Sequence, residues 1–303
     1  MDVCLISFGK ALRKIRKDLN LTQNDVSLLS GINSETIRRI ENGKVVPRFE
    51  TLEFLSAIYK QDLNALFLKH RIKDYSYFHE LLNRIEGKFD EDEFYTLNIE
   101  LEKLNTAFNC ANNLFYKNLT KQLILLVQAV ISYKGNGDNR GALIKLIDAL
   151  KITTPSFSLD TYKSFTYSSM EIRILMNIAF VMNRLNNKEE YLEIIEFCVN
   201  SVDTDDKIYP KLCHNLAGVY RRNKNFEKAL EYSNIGIKSS QENRHLNGLS
   251  LLYYGKGIAE YKLNKEEYLE SFRTSIYLCK ALGQDSLKNT IITNCKEAFN
   301  IDL

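Results

Sequence analysis

Over the first 69 positions, apolar residues recur at three- and four-residue spacing in short runs, each closed by a turn signal. Phe8, Leu12 and Ile15 make one stripe of a helix. Asn20 interrupts the run, and Thr22 is a good N-cap for a second helix over about 23–29, expected to bury Val26 and Leu29. Ser30-Gly31-Ile32 gives a three-residue turn in which Gly31 suits a positive φ. Asn33 caps a third helix, 34–42, with Ile37 and Ile40 on its inner face, and Asn42-Gly43 supplies a left-handed stop. Pro47 sits in the next connection. Leu52, Leu55 and Ile58 mark a fourth helix, and Leu63, Leu66 and Phe67 a fifth.

From residue 70 onward the helical spacing continues and strand alternation is almost absent. Prolines fall only at 155 and 210, and glycine-containing connections separate roughly 12–20-residue pieces, ordinary lengths for helices. Internal similarity is visible. LNNKEEYLEIIEF (185–197) is matched by LNKEEYLESF (263–272), with RNKNFEKALEYS (222–233) between them. The best single unit, Leu212 to Ser239, places Leu216, Ala217, Tyr220, Phe226, Ala229 and Gly236 close to the tetratricopeptide pattern of small and aromatic positions. Tyr191, Phe226 and Tyr268 lie 35 and 42 residues apart, so the repeats are degenerate. The expectation is an all-α chain: a helix-turn-helix domain over 1–69, then a tetratricopeptide-like α-solenoid of about five hairpins over 70–303. Residues 74–104 form its first unit or the connector.

Composition removes several classes. Six cysteines in 303 residues, none spaced CxxC, are no disulfide framework and read as small buried hydrophobes. The four histidines make no ligand spacing, so no metal and no cofactor is expected. The longest apolar run, Leu123 to Ile131, is interrupted by Gln128 and is far short of the ~20 residues a membrane span needs. No signal-peptide pattern opens the sequence, which points to the cytoplasm and away from membranes. GNGDNRG (135–141) has a helix before it and lacks the Lys-Ser/Thr pair of a phosphate loop, so a plain helix–helix connection is expected. The acidic run 90–93 reads as a solvated helix start. No nucleophile and base are paired, and no catalytic residues are assigned.

Charge is distributed unevenly. Residues 1–69 hold 11 of the 41 Lys and Arg and 8 of the 38 Asp and Glu, so they carry the whole net charge of +3. On charge alone this fits either solvated helix faces or a polyanion partner. Two short helices joined by a three-residue, glycine-containing turn favour the second, because that is the DNA-binding helix-turn-helix.

The segment LRKIRKDLNLTQNDVSLLSGINSETIRRIENGKVVPRFETL, within a match from Gly9 to Phe67, closely resembles the Cro and lambda-repressor type of helix-turn-helix domain. Ser27 stands where that family usually has alanine. The resemblance implies that Gln23 contacts a phosphate and orients the third helix. It also implies that Ser34, Glu35, Thr36, Arg38 and Arg39 face the major groove, and that Asn42, Lys44 and Arg48 clamp the sugar-phosphate backbone. Arg39 suits a bidentate contact to guanine, and Glu35 either accepts from a cytosine amino group or orders Arg39. Arg16 and Glu41 match an internal ion pair of relatives.

This domain followed by degenerate tetratricopeptide repeats resembles the peptide-pheromone-sensing transcription regulators of Gram-positive bacteria, the RNPP group, and among them its PlcR-like members. The resemblance implies a homodimer on a pseudo-palindromic duplex, with a short signalling peptide bound on the repeat domain. Asn177 and Asn215, on first helices of successive hairpins, are the expected holders of the peptide backbone, with Tyr254 as an apolar wall. Two other readings stay open: a repressor controlled by a protein partner of phage or toxin–antitoxin type, and a repeat adaptor acting on a response regulator.

Overall fold

The computed structural model describes residues 3–71, 73–90, 94–111, 113–246 and 248–303. Every regular element among them is helical, and none is long and apolar enough to cross a membrane. The chain divides into two compact units, Met1–Glu80 and Leu81–Leu303.

The first unit contains α1 (Val3–Asp18), α2 (Gln23–Ser30), α3 (Ser34–Glu41), α4 (Phe49–Tyr59), α5 (Leu63–Arg71) and the start of α6 (Lys73–Asp90). Phe8, Leu12, Val26, Ile37, Ile40, Leu52, Leu55, Tyr59 and Leu63 form its core. Ile15, Ile58, Leu66 and Phe67 close the rim of that core. Leu29 departs from expectation: it is 65% exposed. Only two turns long, α2 spends its inward position on Val26, and Ile32 from the following turn packs on the core beyond it. The stops behave as the local chemistry requires. Thr22 and Asp25 close a reciprocal capping box, with Thr22 Oγ1 accepting from the Asp25 amide at 3.1 Å and Asp25 Oδ2 from the Thr22 amide at 2.7 Å. Gly31 ends α2 at φ +70°.

In the second unit, α6 is followed by α7 (Leu97–Cys110) and α8 (Leu114–Val130), which runs on through one π-helical turn, Ile131–Gly135. Among the described residues four hairpins form: α8 with α9 (Asn139–Lys151), α10 (Ser169–Arg184) with α11 (Lys188–Asn200), α12 (Tyr209–Arg222) with α13 (Phe226–Glu242), and α14 (Leu249–Lys262) with α15 (Tyr268–Ala281). The last helix, α16 (Asp285–Phe299), packs on α15. The 135–141 loop is a helix–helix connection in which Asp138 caps α9 by accepting from the Gly141 amide at 2.8 Å. Cys198, Cys213, Cys279 and Cys295 are buried thiols, while the side chains of Cys4 and Cys110 lie outside the described residues. Of the acidic run 90–93, Asp90 ends α6 and residues 91–93 lie outside them too.

The repeat register is set by backbone conformation rather than by aromatics. The first helices of three successive hairpins end at left-handed residues, Asn186, Lys224 and Asn264, which are 38 and 40 positions apart. Asn187 and Asn225 then cap the second helices of the first two. On this register Tyr191 corresponds to Ala229, not to Phe226, so the aromatic spacing misplaces the alignment by three residues. The aromatics fill gaps wherever a hairpin offers one, whereas the tight turn must recur at the same point of each hairpin.

Hairpin stacking depends on small residues. At Gly236 on α13, a Cβ would come within 2.7 Å of Leu252 Cδ2 on α14 and 2.9 Å of Cys213 Cβ on α12. Gly236→Val is therefore expected to destabilise the repeat unit by about 1–3 kcal/mol through overpacking, as read from the midpoint of chemical unfolding. An unchanged midpoint would mean that the helices can separate there at no cost.

Candidate nucleic-acid interface and ligand cavity

Across its width, α3 is divided between core and solvent. Ile37 and Ile40 are 0% and 1% exposed, while Glu35, Thr36, Arg38 and Arg39 stand in solvent on the other side, with Ser34 half-buried at the start. Lys44 and Arg48, beyond the helix, are exposed, and Asn42 is half-buried. Glu35 pairs with Arg38, not with Arg39: Arg38 Nε and Nη2 donate to its two oxygens at 2.6 and 2.7 Å. A three-residue offset brings the two planar groups edge to edge on one turn. That pairing holds the Glu35 carboxyl below its usual range. Arg39 is exposed and makes no ion pair among the described residues.

What aims α3 is a buried carboxylate. Glu41, at its last turn, has a fully buried side chain and accepts from Arg16 Nε at 2.6 Å, Arg16 Nη2 at 3.0 Å and Gln23 Nε2 at 2.7 Å, with Arg13 Nε at 3.4 Å. Burial alone would raise its pKa, but donors on Arg16, Gln23 and Arg13, together with the Arg16 charge, outweigh it and hold the carboxyl below its ordinary value. Gln23 therefore orients α3 directly, through this carboxylate. Arg13 also donates to Asn42 Oδ1 at 2.8 Å. Two glycines permit the approach of α1. A Cβ at Gly9 would lie 2.4 Å from the Glu41 carbonyl oxygen, and one at Gly43, whose φ is +66°, would lie 2.6 Å from the Ile6 amide nitrogen.

The second unit contains a cavity of about 410 Å³ between the ends of α6 and α8 and the first helices of the hairpins. Asn177 and Asn215 both line it, each nine positions before the left-handed residue that ends its helix. Asn177 is buried and engaged at both ends of its amide: Nδ2 donates to the Arg173 carbonyl at 2.8 Å and Oδ1 accepts from the Tyr133 hydroxyl at 3.1 Å. Asn215 gives Nδ2 to Met176 Sδ at 2.9 Å, a weak acceptor that a better one can replace. Lys88, Lys134, Arg184, Lys211, Arg221 and Arg222 also line the cavity, and none of its described lining residues is acidic. Arg184 and Arg222 lie over the rings of Tyr133 and Tyr191, 5.3 and 5.5 Å from their centroids. His214 faces the same space. Burial, then the charges of Arg221 and Lys211, press its pKa down to about 3, so the imidazole is neutral.

A helix-turn-helix domain family matches residues 9–71, and the RNPP family C-terminal domain matches residues 143–301, just over half of the chain. The chain belongs to the RNPP family. Two curated regulators of Bacillus subtilis match at the N-terminal end: the uncharacterized HTH-type regulator RghRB, 44% identical over 54 residues, and the HTH-type repressor RghR, 39% identical over 64. These matches take in 18% and 21% of this chain, and 39% and 47% of the two relatives. In fold the chain is similar to Bacillus thuringiensis PlcR in complex with the peptide PapR7 and DNA. The TM-score is 0.69 at 16% identity, covering 95% of this chain and 99% of PlcR. It is also similar to Streptococcus dysgalactiae Rgg2, at TM-score 0.53, 16% identity and 96% and 99% coverage, and to ComR of S. thermophilus with DNA and its signalling peptide, at 0.52, 13% and 94% and 97%.

Within this RNPP chain, Tyr254 falls apart from the two asparagines. It is not among the cavity's lining residues. Its ring packs 5.9 Å from Phe272 in the C-terminal core and its hydroxyl is hydrogen-bonded to Asn294. Leu251 and Tyr254, one turn apart on α14, both pack on that core, and of the two only Leu251 reaches the cavity. The cationic lining, above all Arg221, has no motif in the sequence. The pair Arg221-Arg222 reads there as an ordinary basic helix end, which the C-terminal carbonyls of α12 favour anyway.

The Glu41 network yields a stability test. Its folded pKa lies below the unfolded value, so its contribution is present above the ordinary Glu range near about 4.3 and is lost as pH falls through the folded pKa. Protection of α3 amides from hydrogen exchange in the full chain should hold from neutral pH down to about 5 and then fall, and Glu41→Gln should blunt that fall. Glu41→Ala should cost about 3–5 kcal/mol by leaving Arg16 buried without its partner. Equal protection in variant and parent would show the pair to be energetically idle.

Proposed function

We propose that this chain is a transcription regulator that binds duplex DNA through α3 and whose DNA binding answers to a short signalling peptide held by the repeat unit. The observation that carries the reading is the exposed polar edge of α3, fixed in rotation by Glu41 and flanked by the chain's only excess of positive charge. An isolated basic helix would be free to turn, whereas this one presents Ser34, Thr36 and Arg39 in one orientation, as readout of base edges requires. Gln23, Asn42, Lys44 and Arg48 surround that edge and serve as phosphate contacts, which position the protein on the duplex. Glu35 orders Arg38 rather than Arg39, so Arg39 is the guanidinium assigned to guanine.

The PlcR and ComR complexes, of like fold, hold both DNA and a peptide, which supports giving this chain the same pair of partners. Residues 70–303 are assigned ligand binding and dimerisation, with Asn177 and Asn215 facing the peptide backbone. Tyr254 serves as an apolar support behind Arg221. A single recognition helix reads too few base pairs for selectivity alone, so the protein acts as a homodimer on a two-fold operator. It works in the cytoplasm, without a cofactor and without catalysis.

The experiment begins by recovering the preferred duplex from a random pool with the full chain. On that duplex Arg39→Ala should lose about 1–3 kcal/mol and relax preference at one base pair per half-site. Lys44→Ala should weaken all sequences alike and reduce the salt slope by about 1. If Arg39→Ala retained full selectivity among single-base operator variants, α3 would not be the reader.

A further inference from the structure

We propose that the repeat cavity selects its peptide by a carboxylate, and that Arg221, admitted by Gly255, is the residue that reads it. This rests on the cavity being the peptide site.

Six cations line the cavity among the described residues. Most have partners of their own. Lys88 donates to Thr96 Oγ1 at 2.7 Å and lies 3.8 Å from Glu100, and Arg184 and Arg222 lie over tyrosine rings. Arg221 differs. Its Nη1 is buried with no hydrogen-bond partner, and it makes no ion pair among the described residues. The charge that acts on it most strongly is Arg222, of the same sign. Burial first, and that neighbour second, bring its pKa down to about 10, so it is still a cation at neutral pH. A buried cation without a counter-charge is unfavourable, and a carboxylate arriving on a ligand relieves it with charge-assisted hydrogen bonds.

Space for this arrangement comes from the third hairpin. The position nine residues before the left-handed turn is Asn177 before Asn186, Asn215 before Lys224, and Gly255 before Asn264. At the third position there is no side chain, and the guanidinium of Arg221 from the preceding hairpin occupies the place. A Cβ on residue 255 would lie 2.4 Å from Arg221 Nη1 and 3.2 Å from Cζ. Equivalent positions along the array thus offer an amide, an amide and then a cation. Amides suit the alternating donors and acceptors of an extended backbone, whereas a guanidinium only donates and, lacking a counter-charge, is best satisfied by an anion. The array therefore fits a peptide whose backbone crosses the asparagines and whose free C-terminus, or an acidic side chain, reaches Arg221.

The test uses the full chain and three pools of synthetic, N-acetylated seven-residue peptides without Lys or Arg. One pool has a free C-terminal carboxylate and no Asp or Glu. A second has a C-terminal amide and one Asp or Glu. The third has the amide and no acid. Binding is read as a thermal shift, and then as affinity by calorimetry for the best member of each pool. The expected result is that one of the first two pools binds at least about tenfold more tightly than the third, and which one does so identifies the source of the carboxylate. Arg221→Gln should lower the affinity of that best member about 10- to 100-fold and leave the uncharged pool within about twofold. Gly255→Ala should shrink the preference without lowering the melting temperature, since it displaces a flexible side-chain end and adds a better helix former. Equal binding of all three pools, or a preference that survives Arg221→Gln, overturns the carboxylate proposal while leaving peptide binding intact. No binding by any pool overturns the peptide reading and this proposal with it.

Discussion

In the N-terminal unit one buried carboxylate, that of Glu41, accepts hydrogen bonds from α1 and α2 while standing on α3, and the rotation of α3 depends on it. Apolar packing of Ile37 and Ile40 makes α3 lie on the core, but greasy contacts tolerate sliding and turning. Two charge-assisted bonds from the Arg16 guanidinium tolerate far less, because their geometry is planar and bidentate. Gly9 and Gly43 allow α1 to come close enough for Arg16 to reach. The order of dependence runs from two absent side chains, to a close helix crossing, to an ion pair, to the direction in which Arg39 points.

The repeat unit solves a different problem by similar means. No single hairpin buries enough apolar surface, so stability comes from neighbours, and neighbours meet at small residues such as Gly236. Stacking repeats one turn conformation at Asn186, Lys224 and Asn264, and thereby repeats one helix position at 177, 215 and 255, the first two of which line the cavity. Function sits on that repetition. The hairpins share a scaffold position, and each fills it differently, which makes one groove read different features of a ligand along its length.

Much of this was legible in the sequence where local chemistry decides. The five short helices of the N-terminal unit, their caps and the inner positions follow from spacing and from Thr22, Gly31, Asn33 and Gly43. Arg16 with Glu41 was legible only through the resemblance to the Cro and lambda-repressor type of domain, and the ion pair is present. Leu29 was not, since an i+3 pattern does not reveal that a two-turn helix leaves the core before its end. Nor was the repeat register, because Tyr191, Phe226 and Tyr268 are fillers of gaps whose positions vary, while the turn residues that fix the register are not glycines. Asn177 and Asn215 were singled out by position, and both line the cavity, whereas Arg221 and Gly255 gave no signal. Their meaning arises from contact between two hairpins: a guanidinium on one helix over an absent side chain on the next leaves no local trace.

The central claim is that one chain couples a sequence-reading helix to an occupied or empty cavity. The most direct measurement is the affinity of the full-length protein for its selected duplex, titrated with the tightest-binding carboxylate peptide, in parent and in Arg221→Gln. The account predicts that saturating peptide shifts the parent's affinity by about fivefold or more, a coupling of at least about 1 kcal/mol, and that the peptide concentration needed rises in the variant. Identical DNA affinity with and without bound peptide would contradict it.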